Sequence, residues 1–498
     1  MRTIRIIIGL ICAAFLLVSN RARAFDYSVP DHWGYRQLLE ELEIRGRAPL
    51  LKGYGPYSYQ EIAALIDNLP KEEWRLNHSA ALNAFNPACD ALLFINPRAA
   101  GNLGSDTLDG RLYNKTFGGI NIGQGHWSMA GAYYMLAGEQ PAADYYKKLW
   151  RGFSGGSDQM YLRYSSSRGY FQIGKDHLSL GSGLVLSGQQ AFEKGQAEYR
   201  LNKHLKIFFF TGQLDKMADS PAVYNRYLAG HRAELTFGRV QLGFNEFAIY
   251  GGEGRNIEPY YLLPFYIFQA EQLNKLYVDD NVIWDMDIKA VLPPFRFRAE
   301  LMVDDFQIDS ESPTDNEPTQ AGFLAQADWA VLDRPFFATA SIKYQMVTDW
   351  TFNQPNIWNR FLFEGQPLGG EYGNDYDRLS LGASLVTGRD RGSLEIYHRR
   401  KGQGSIDQPW NEPWVSDTTW QGRFPTGTVE RAMGAKFAMS HYLGHWDPLA
   451  IGGDYYLVAE TGWERTKNLH HSAGATGTSW QIRLGLEAMF RSDIFKID

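Results

Sequence analysis

Cysteine is almost absent from this sequence. The 498 residues include only Cys12 and Cys89, and Cys12 lies within an apolar N-terminal run. One remaining cysteine cannot close an internal disulfide, and the Cys/His spacing of a zinc site is missing. We therefore expect no disulfide framework and no metal site. Cys89 is interpreted as an inert thiol, with a catalytic thiol as the weaker alternative.

An excess of positive charge is also missing. Lys and Arg number 49 against 56 Asp and Glu, which gives a formal net charge of −7. A nucleic-acid-binding protein needs a basic face to meet the phosphates. We therefore expect no nucleic-acid partner.

The motifs of several common enzyme classes are lacking. H-E-x-x-H, G-x-S-x-G and G-x-x-x-x-G-K-[ST] do not occur. The short Gly-x-Gly pairs lack the third glycine of a nucleotide-binding motif. His470-His471-Ser472 is interpreted as an exposed polar loop rather than as a nucleophile with its base. We expect no cofactor, no catalytic residues and no enzymatic activity.

The sequence has one long apolar run, at its N-terminus. Two arginines precede the run Ile6–Val18, and Ala22-Arg23-Ala24 follows it as a small-x-small cleavage site. This order is typical of a secretory signal peptide, and the run is too short for a spanning helix. We predict a signal peptide at residues 1–24 and an exported protein, which can enter a membrane only as a barrel.

Glycine and aromatic residues are abundant instead. Glycine accounts for 50 residues and Phe, Trp and Tyr for 14% of the chain, whereas average proteins have roughly 7% glycine. This composition favours many short strands and turns. The aromatic content is too high for a disordered chain.

Residues 25–90 have a different, helical pattern. Ser58-x-x-Glu61 is a capping box, and apolar residues then recur at helical spacing up to Pro70. Two further short helices are expected, one before the box and one around residues 74–85. We predict a small helical unit on the periplasmic side, with a plug or cap as the functional alternative.

After about residue 90 the pattern changes to alternation, most clearly over residues 281–304. One face of this hairpin is apolar and the other is charged, and each strand has the length of about ten residues that crosses a bilayer at a tilt. We expect the apolar face towards lipid and the charged face in the lumen. The predicted lumen charges are Asp285, Asp287, Lys289, Arg296, Arg298, Glu300 and Asp304.

The connections between strands alternate in length. Short turns are predicted near residues 165–168, 202–203, 238–239, 292–294, 332–334 and 388–391. Long connections are predicted near residues 138–158, 175–195, 211–230, 248–280, 305–320, 347–377, 400–428 and 460–479. A soluble sandwich also alternates, but the export signal, the strand lengths and this loop pattern favour an outer-membrane barrel. We predict an all-β fold: a transmembrane antiparallel β-barrel of about 18 strands over residues 91–498.

Two segments resemble the capsule assembly protein Wzi family. They are Gly251–Arg255 (GGEGR) and Leu301–Gln307 (LMVDDFQ), with a weaker similarity at Ile173–His177 and Gly181–Gly183. The layout of signal peptide, helical unit and large barrel is similar too. The resemblance implies an 18-strand outer-membrane barrel with a periplasmic helical bundle, in Gram-negative bacteria. It also implies that the protein holds capsular or exo-polysaccharide at the cell surface without catalysis.

Long-loop residues are the candidates for polysaccharide binding. They are Trp358, Trp410, Trp414 and Trp420, which lie near amide side chains, and Glu253 and Arg255 in the glycine-rich segment. Aromatic faces of this kind can stack on sugars. Interface anchoring is the alternative for the tryptophans, and a turn ion pair is the alternative for Glu253 and Arg255.

Asp285 and Asp287 are the best catalytic candidates. They share a strand face, about 6.6 Å apart at a rise of about 3.3 Å per residue, and glycoside cleavage uses two carboxyls about 5–9 Å apart. We favour a lumen wall neutralised by Lys289, Arg296 and Arg298, because opposite charges across strands stabilise one another.

These observations lead to one main hypothesis and two alternatives. The main hypothesis is a multi-pass outer-membrane barrel that binds or organises capsular or exo-polysaccharide, with no enzymatic activity. Its expected partners are surface polysaccharide, outer-membrane lipid and the polysaccharide export machinery. The alternatives are an outer-membrane porin or channel and an outer-membrane hydrolase acting on glycan or lipid.

Overall fold

The structure is a computed structural model. It describes residues 28–29, 35–58, 61–62, 65, 91–104, 108–124, 126–137, 153–274, 280–305, 317–333, 336–416, 422–446 and 453–492. The predicted signal peptide, the predicted helix around residues 74–85 and Trp420 lie outside these residues.

Among the described residues, eighteen long strands form a closed antiparallel barrel. Two short strands, Tyr54–Gly55 and Met217–Asp219, pair with strands of the same sheet. The long strands are β1 (Ala91–Gly104), β2 (Leu108–Gln124), β3 (Trp127–Ala137), β4 (Phe153–Ser166), β5 (Gly169–Leu180), β6 (Ser187–Arg200), β7 (Leu205–Gln213), β8 (Ala222–Phe237), β9 (Val240–Glu253), β10 (Asn281–Leu292), β11 (Phe295–Asp305), β12 (Gln320–Leu332), β13 (Phe337–Val347), β14 (Tyr376–Val386), β15 (Asp390–Lys401), β16 (Glu430–Trp446), β17 (Gly453–Lys467) and β18 (Thr476–Ser492). Each strand pairs with the next, and β18 pairs with β1 to close the barrel. The predicted transmembrane barrel fold is confirmed.

The two faces of the wall differ as the alternation requires. On β10, Trp284, Met286 and Ile288 are 45%, 51% and 44% exposed, whereas Asp285 and Asp287 are buried. The exposed row faces lipid and the buried row faces the lumen. Closure of the barrel pairs the backbone groups of every strand, which is what allows strands to cross a bilayer, and the outer apolar row meets the lipid.

Short and long connections separate the two ends of the barrel. The end that holds the two-residue turn after β8 is called the short-turn end, and the end that holds the connection from β13 to β14 is called the long-loop end. Three connections predicted to be long are shorter in the structure, at residues 181–186, 214–221 and 468–475. The strands extend into the predicted connections, where inward-facing polar residues such as Asp176 on β5 and Lys194 on β6 resemble loop sequence.

Short elements complete the described chain. The helices are α1 (Tyr35–Ile44), α2 (Phe268–Asn274) and α3 (Pro413–Ser416), with 3-10 turns at Pro259–Leu262, Ile357–Asn359 and Leu469–His471. Strand Ser28–Val29 pairs with Tyr57–Ser58, and Leu362–Phe363 pairs with Gln366–Pro367. None of the helices in the described part of the chain is long and apolar enough to cross a bilayer.

The N-terminal segment, residues 35–58, packs against the inner face of the wall. Glu41 of α1 accepts hydrogen bonds from Thr339 on β13 and Ser384 on β14, at 2.6 and 2.7 Å. Further along the segment, the Gly53 N–H donates to Glu234 on β8 at 2.8 Å. The predicted periplasmic unit therefore has a described part that lies in the lumen. Its boundaries at residues 25 and 90 stay a prediction.

The capping box of this region forms as the sequence indicates. The Ser58 N–H donates to the Glu61 carboxylate at 2.8 Å, and the Glu61 N–H donates to the Ser58 hydroxyl at 3.3 Å. The two residues satisfy each other's backbone donors at the start of a helical turn.

The lumen is also filled from the long-loop end. Residues 348–375, called the infolded loop, and residues 181–186 contribute to one apolar core with the inward side chains of β7 to β11. Its members include Leu184, Val185, Phe208, Phe210, Phe247, Ile283, Met302, Phe352, Phe361 and Leu368. Tyr54 of the N-terminal segment stacks on Phe208 at 5.0 Å and joins this core. Segments entering from both ends therefore meet in the lumen.

Candidate functional site

The charged residues predicted to line the lumen hold the N-terminal segment. Arg296 contacts Glu40 and Glu43 of the segment at 3.1 and 3.3 Å. Lys289 contacts the Glu43 carboxylate at 3.0 Å, and Arg298 lies 3.5 Å from Glu40. Buried charges require paired partners, and the wall and the segment supply them to each other.

Two further lumen carboxylates hold loops. Asp304 accepts a hydrogen bond from the Phe352 N–H of the infolded loop at 2.5 Å. Glu300 accepts one from the Leu184 N–H at 3.0 Å. Gly181 has a φ of +60° and lies against the Glu300 carboxylate, where a Cβ would come within 2.9 Å of it. The similarity at Gly181–Gly183 thus coincides with a tight turn over this buried acid.

Asp285 and Asp287 are engaged inside the wall. Arg232 on β8 pairs with Asp287, with its second contact at 3.1 Å. Asp285 accepts a hydrogen bond from the Asn245 amide at 2.6 Å. Both carboxylates are buried, which leaves no room in this arrangement for a sugar between them. Both residues lie in the lumen wall as predicted, but the cation that pairs with Asp287 is Arg232. The predicted neutralising residues, Lys289, Arg296 and Arg298, contact the N-terminal segment instead.

Two of the candidate tryptophans pack against a third. Trp350, Trp410 and Trp414 form an edge-to-face trio with ring centroids 5.1–5.6 Å apart. Trp414 is 4% exposed and Trp350 is 5% exposed. Their rings pack against each other and join the infolded loop, which contains Trp350, to the loop after β15, which contains Trp414. Trp410 is the member of the trio with a partly open face.

The remaining candidate residues lie near the end of β9. Trp358 packs on Tyr224 with ring centroids 4.4 Å apart. Arg255 forms ion pairs with Glu258 and Asp280, with one N–O distance of 2.9 Å to each. Glu253 is exposed. The structure therefore gives Arg255 two carboxylate partners other than Glu253, and it does not bring these residues to the tryptophan trio.

A second group of residues at the long-loop end has the features expected of a binding site. It consists of Glu371, Tyr372, Arg378, Glu395, Tyr397, Arg399, Glu430, Lys436 and Glu464, and it is called the mouth cluster. Apart from Glu371 and Tyr372 in the infolded loop, these residues are on β14 to β17. Along these strands the cluster residues alternate with exposed, lipid-facing side chains, such as those of Leu379, Leu381, Leu394 and Met433. The cluster therefore lines the lumen close to its mouth.

Two arginines organise the mouth cluster. Arg378 contacts Glu371 and Glu395 at 2.9 and 3.0 Å, and its guanidinium lies 4.3 Å from the ring centre of Tyr397. The guanidinium of Arg399 likewise lies 4.6 Å from the ring centre of Tyr372. A guanidinium over an aromatic face is a favourable and rigid arrangement. Each arginine is thus held by carboxylates and by an aromatic ring.

The second arginine links two more strands to the cluster. Arg399 contacts Glu430 and Glu464 at 3.2 and 3.4 Å. The Tyr397 hydroxyl donates to Glu464 at 2.6 Å. Hydrogen bonds to charged groups are the stronger kind, so this network fixes side chains from four strands in one geometry.

Part of the mouth cluster remains open to solvent. Side-chain exposure is 33% for Glu371, 28% for Glu464 and 51% for Lys436, whereas Arg378 is 6% exposed. Burial, together with the charge of Glu371, raises the pKa of the Tyr372 hydroxyl to about 12. The Tyr372 hydroxyl therefore stays a neutral donor at physiological pH.

Two donors in the cluster have no hydrogen-bond partner in the part of the chain that the structure describes. The Nε atoms of Arg378 and Arg399 are buried and form no hydrogen bond with the described residues. The partly exposed carboxylates of Glu371 and Glu464 and the ammonium of Lys436 suit a polyhydroxylated ligand, which both donates and accepts hydrogen bonds. Within the described residues no group of three His, Cys, Asp or Glu is placed to hold a metal ion.

Reasoning from the sequence did not select the mouth cluster. Its members come from the infolded loop and four strands, and they are far apart in the chain. The alternation of the strands could have identified part of it. Arg378, Tyr397 and Arg399 occupy lumen-facing positions of strands whose other face is regularly apolar. Aromatic and charged residues on the lumen face near a long loop are worth following in other barrels.

Comparisons with known proteins support the fold. No family model matches the sequence, and no curated protein is significantly similar to it. The structure is similar to Wzi of Escherichia coli, described as an outer-membrane protein involved in group 1 capsule assembly and a carbohydrate-binding β-barrel. The TM-score is 0.61 with 13% identity, over 92% of this chain and 99% of that one.

Weaker similarities involve other outer-membrane barrels. OccK2 (OpdF) of Pseudomonas aeruginosa has a TM-score of 0.48 and 10% identity, over 81% of this chain and 98% of that one. OccAB1 of Acinetobacter baumannii has a TM-score of 0.48 and 8% identity, over 80% and 96%. At 13% identity the similarity to Wzi shows an outer-membrane barrel fold and nothing finer.

Proposed function

We propose that this protein is a non-enzymatic outer-membrane barrel that binds capsular or exo-polysaccharide at the cell surface, with a role like that of Wzi. The mouth cluster carries this proposal: a rigid, partly open set of carboxylates, arginines and tyrosines above a lumen filled from both ends. The ligand would bind at the mouth instead of passing through.

Several further points support this function. With short turns in the periplasm, as in other outer-membrane barrels, the long-loop end and the mouth cluster face the cell exterior. The predicted signal peptide provides the export that this location requires. The structurally similar Wzi is described as carbohydrate-binding and involved in capsule assembly. The export machinery is a further expected partner of such a protein.

The function is tested by deleting the gene in the native bacterium. We expect polymer synthesis to continue while polymer is released into the medium, because the surface anchor is lost. Both quantities are obtained by measuring cell-associated and released polysaccharide. Normal retention of polymer on the deleted strain would refute the proposed function.

The site is tested by returning variant genes to that strain. Glu371→Gln combined with Glu464→Gln removes two partly exposed carboxylates, and we expect polymer release close to that of the deletion. Glu460→Gln is the matched control, because Glu460 also faces the lumen, is 36% exposed and pairs with an arginine, Arg483. Heat-modifiable gel migration verifies that each barrel has assembled. Full retention by the double variant would exclude the mouth cluster as the site.

A further inference from the structure

The connection after β9 lies outside the barrel wall. Residues 256–274 bury Tyr261 and Phe268 in a second apolar cluster, with the side chains of Tyr227, Ala229, Ala248, Tyr250 and Val282. The wall members of this cluster belong to the lipid-facing rows of β8, β9 and β10, since Phe244 and Trp284 of the same rows are 41% and 45% exposed. The segment therefore folds back over the outer face and not over the mouth.

A buried acid fixes this segment to the wall. Glu246 on β9 is in the lipid-facing row and yet is 2% exposed. It accepts hydrogen bonds from the backbone N–H groups of Phe268 and Gln269, at 2.9 and 3.0 Å. The Trp284 indole donates to it at 3.1 Å, and His231 lies 3.1 Å away.

This arrangement makes the segment part of the wall. Without it, Glu246 and His231 would face hydrocarbon, and ionisable groups there are expensive. Two neighbouring strands thus carry polar residues at lipid-facing positions that the folded segment covers: Phe268 packs on the His231 ring, and the N–H groups of Phe268 and Gln269 bind Glu246. A loosely attached loop would not require them.

The outer surface of the segment is apolar. Residues 259–268 contain no charged residue, and Leu263, Phe265 and Ile267 are 55%, 76% and 59% exposed. The segment meets the lipid-facing row at Trp284, whose indole shares Glu246 with the backbone N–H groups of Phe268 and Gln269. Tyr260 and Tyr266 pack beside the apolar surface with ring centroids 5.3 Å apart, and tyrosine is the residue type that gathers where lipid meets water.

We propose that residues 256–274 form an apron that inserts Leu263, Phe265 and Ile267 into the outer leaflet, at the boundary between headgroups and acyl chains. Because the segment packs on the lipid-facing side of the wall, we infer that its exposed apolar surface is covered by lipid and not by a second copy of the chain. The irregular backbone of the segment fits this boundary, because exposed irregular backbone does not occur within the hydrocarbon region. The apron would anchor the barrel and fix its height in the membrane.

The apron is tested with spin labels on the full barrel in lipid vesicles. In a Cys12→Ser, Cys89→Ser background, labels are placed at Phe265→Cys and Ile267→Cys, with Leu263→Cys as a third position if one variant fails to assemble. Val415→Cys is the control, because Val415 is 70% exposed on another long connection. Collision rates with oxygen, which partitions into lipid, and with a water-soluble nickel chelate are compared.

The expected result is a several-fold excess of oxygen over nickel collisions at residues 265 and 267, with the ratio reversed at residue 415. Two results would overturn the proposal. Nickel accessibility equal to that of residue 415 would mean that the segment faces water. Low accessibility to both reagents with dipolar broadening would mean that it contacts a second copy. Neither depends on whether the mouth binds polysaccharide.

Discussion

The two segments that meet in the lumen are held by different forces. The N-terminal segment is fastened mainly by ion pairs, with Arg296 and Lys289 facing Glu40 and Glu43. The infolded loop is fastened mainly by apolar packing around Phe352, which is fully buried.

The inner face of the wall is divided in the same way. On β10, Asp285, Asp287 and Lys289 occupy its inner row towards the short-turn end, whereas Ile283 lies towards the long-loop end. The inner face is therefore charged where the N-terminal segment binds and apolar where the infolded loop packs.

Removing Arg296 should have the largest effect. Arg296→Gln takes away the cation shared by Glu40 and Glu43, and breaking a buried pair in this way costs about 3–5 kcal/mol. We expect the N-terminal segment to leave the lumen. Proteoliposomes that contain the variant should then swell in small sugars faster than those that contain the wild-type protein.

Arg483→Gln is the control for this experiment. Arg483 faces the lumen from β18, and its described ion pair is with Glu460 on the neighbouring strand, at 3.3 Å. Equal swelling rates for the two variants would show that the ion pairs of Arg296 do not retain the segment.

Truncating the apolar anchor should free the other segment. Phe352 stacks on Phe361 with ring centroids 5.0 Å apart, and Phe352→Ala should cost about 3 kcal/mol, the low end for such changes because the loop can relax. We expect new protease cleavage within residues 348–375, mapped by mass spectrometry, while the N-terminal segment stays protected. Phe323→Ala on the lipid face is the control, and identical cleavage patterns would contradict the assignment.

Removing the capping box should have a smaller, local effect. Ser58→Ala deletes the acceptor of the Glu61 N–H, and the loss of such a cap costs about 1 kcal/mol. Faster amide hydrogen exchange at Glu61 is expected. Ser58→Thr keeps the hydroxyl and should exchange at the wild-type rate. Unchanged exchange in the alanine variant would mean that the box adds nothing.

The infolded loop should also show a pH dependence. Burial, and the nearby charge of Asp375, raise the pKa of Asp349 to about 6. The folded loop binds this proton more tightly than an unfolded chain with its pKa near 4, so stability falls as pH rises between these values. Hydrogen-exchange protection, corrected for the intrinsic pH effect, should therefore be greater at pH 4 than at pH 7. In Asp349→Asn the difference in protection between pH 4 and pH 7 should be smaller. An unchanged difference would mean that another group causes the pH dependence.

Alternation was sufficient to predict the barrel but not the contents of its long-loop half. Over residues 247–250 of β9 (FAIY) every side chain is fully buried. The infolded loop covers Phe247 and Ile249 from inside, and the apron covers Ala248 and Tyr250 from outside. Where both faces are covered, the period-two signal disappears and the sequence no longer shows which side is which.

The candidate site illustrates a second limit. The tryptophans of the long loops stand out in the sequence, but nothing in their spacing shows that Trp350 and Trp414 bury their faces against each other. The mouth cluster depends on register between strands: Arg378 is opposite Arg399 because β14 and β15 pair in one register. Charge balance then requires the carboxylates of Glu371 and Glu464, which the chain supplies from distant positions.

The proposed function requires a barrel that is closed by its own chain, so that a ligand binds at the mouth instead of passing through. Planar-bilayer recording of the purified full-length protein tests this closure most directly. We predict no steady conductance steps for the wild-type protein under conditions in which Arg296→Gln produces them. Stable, porin-sized conductance from the wild-type protein would contradict the account and favour a channel.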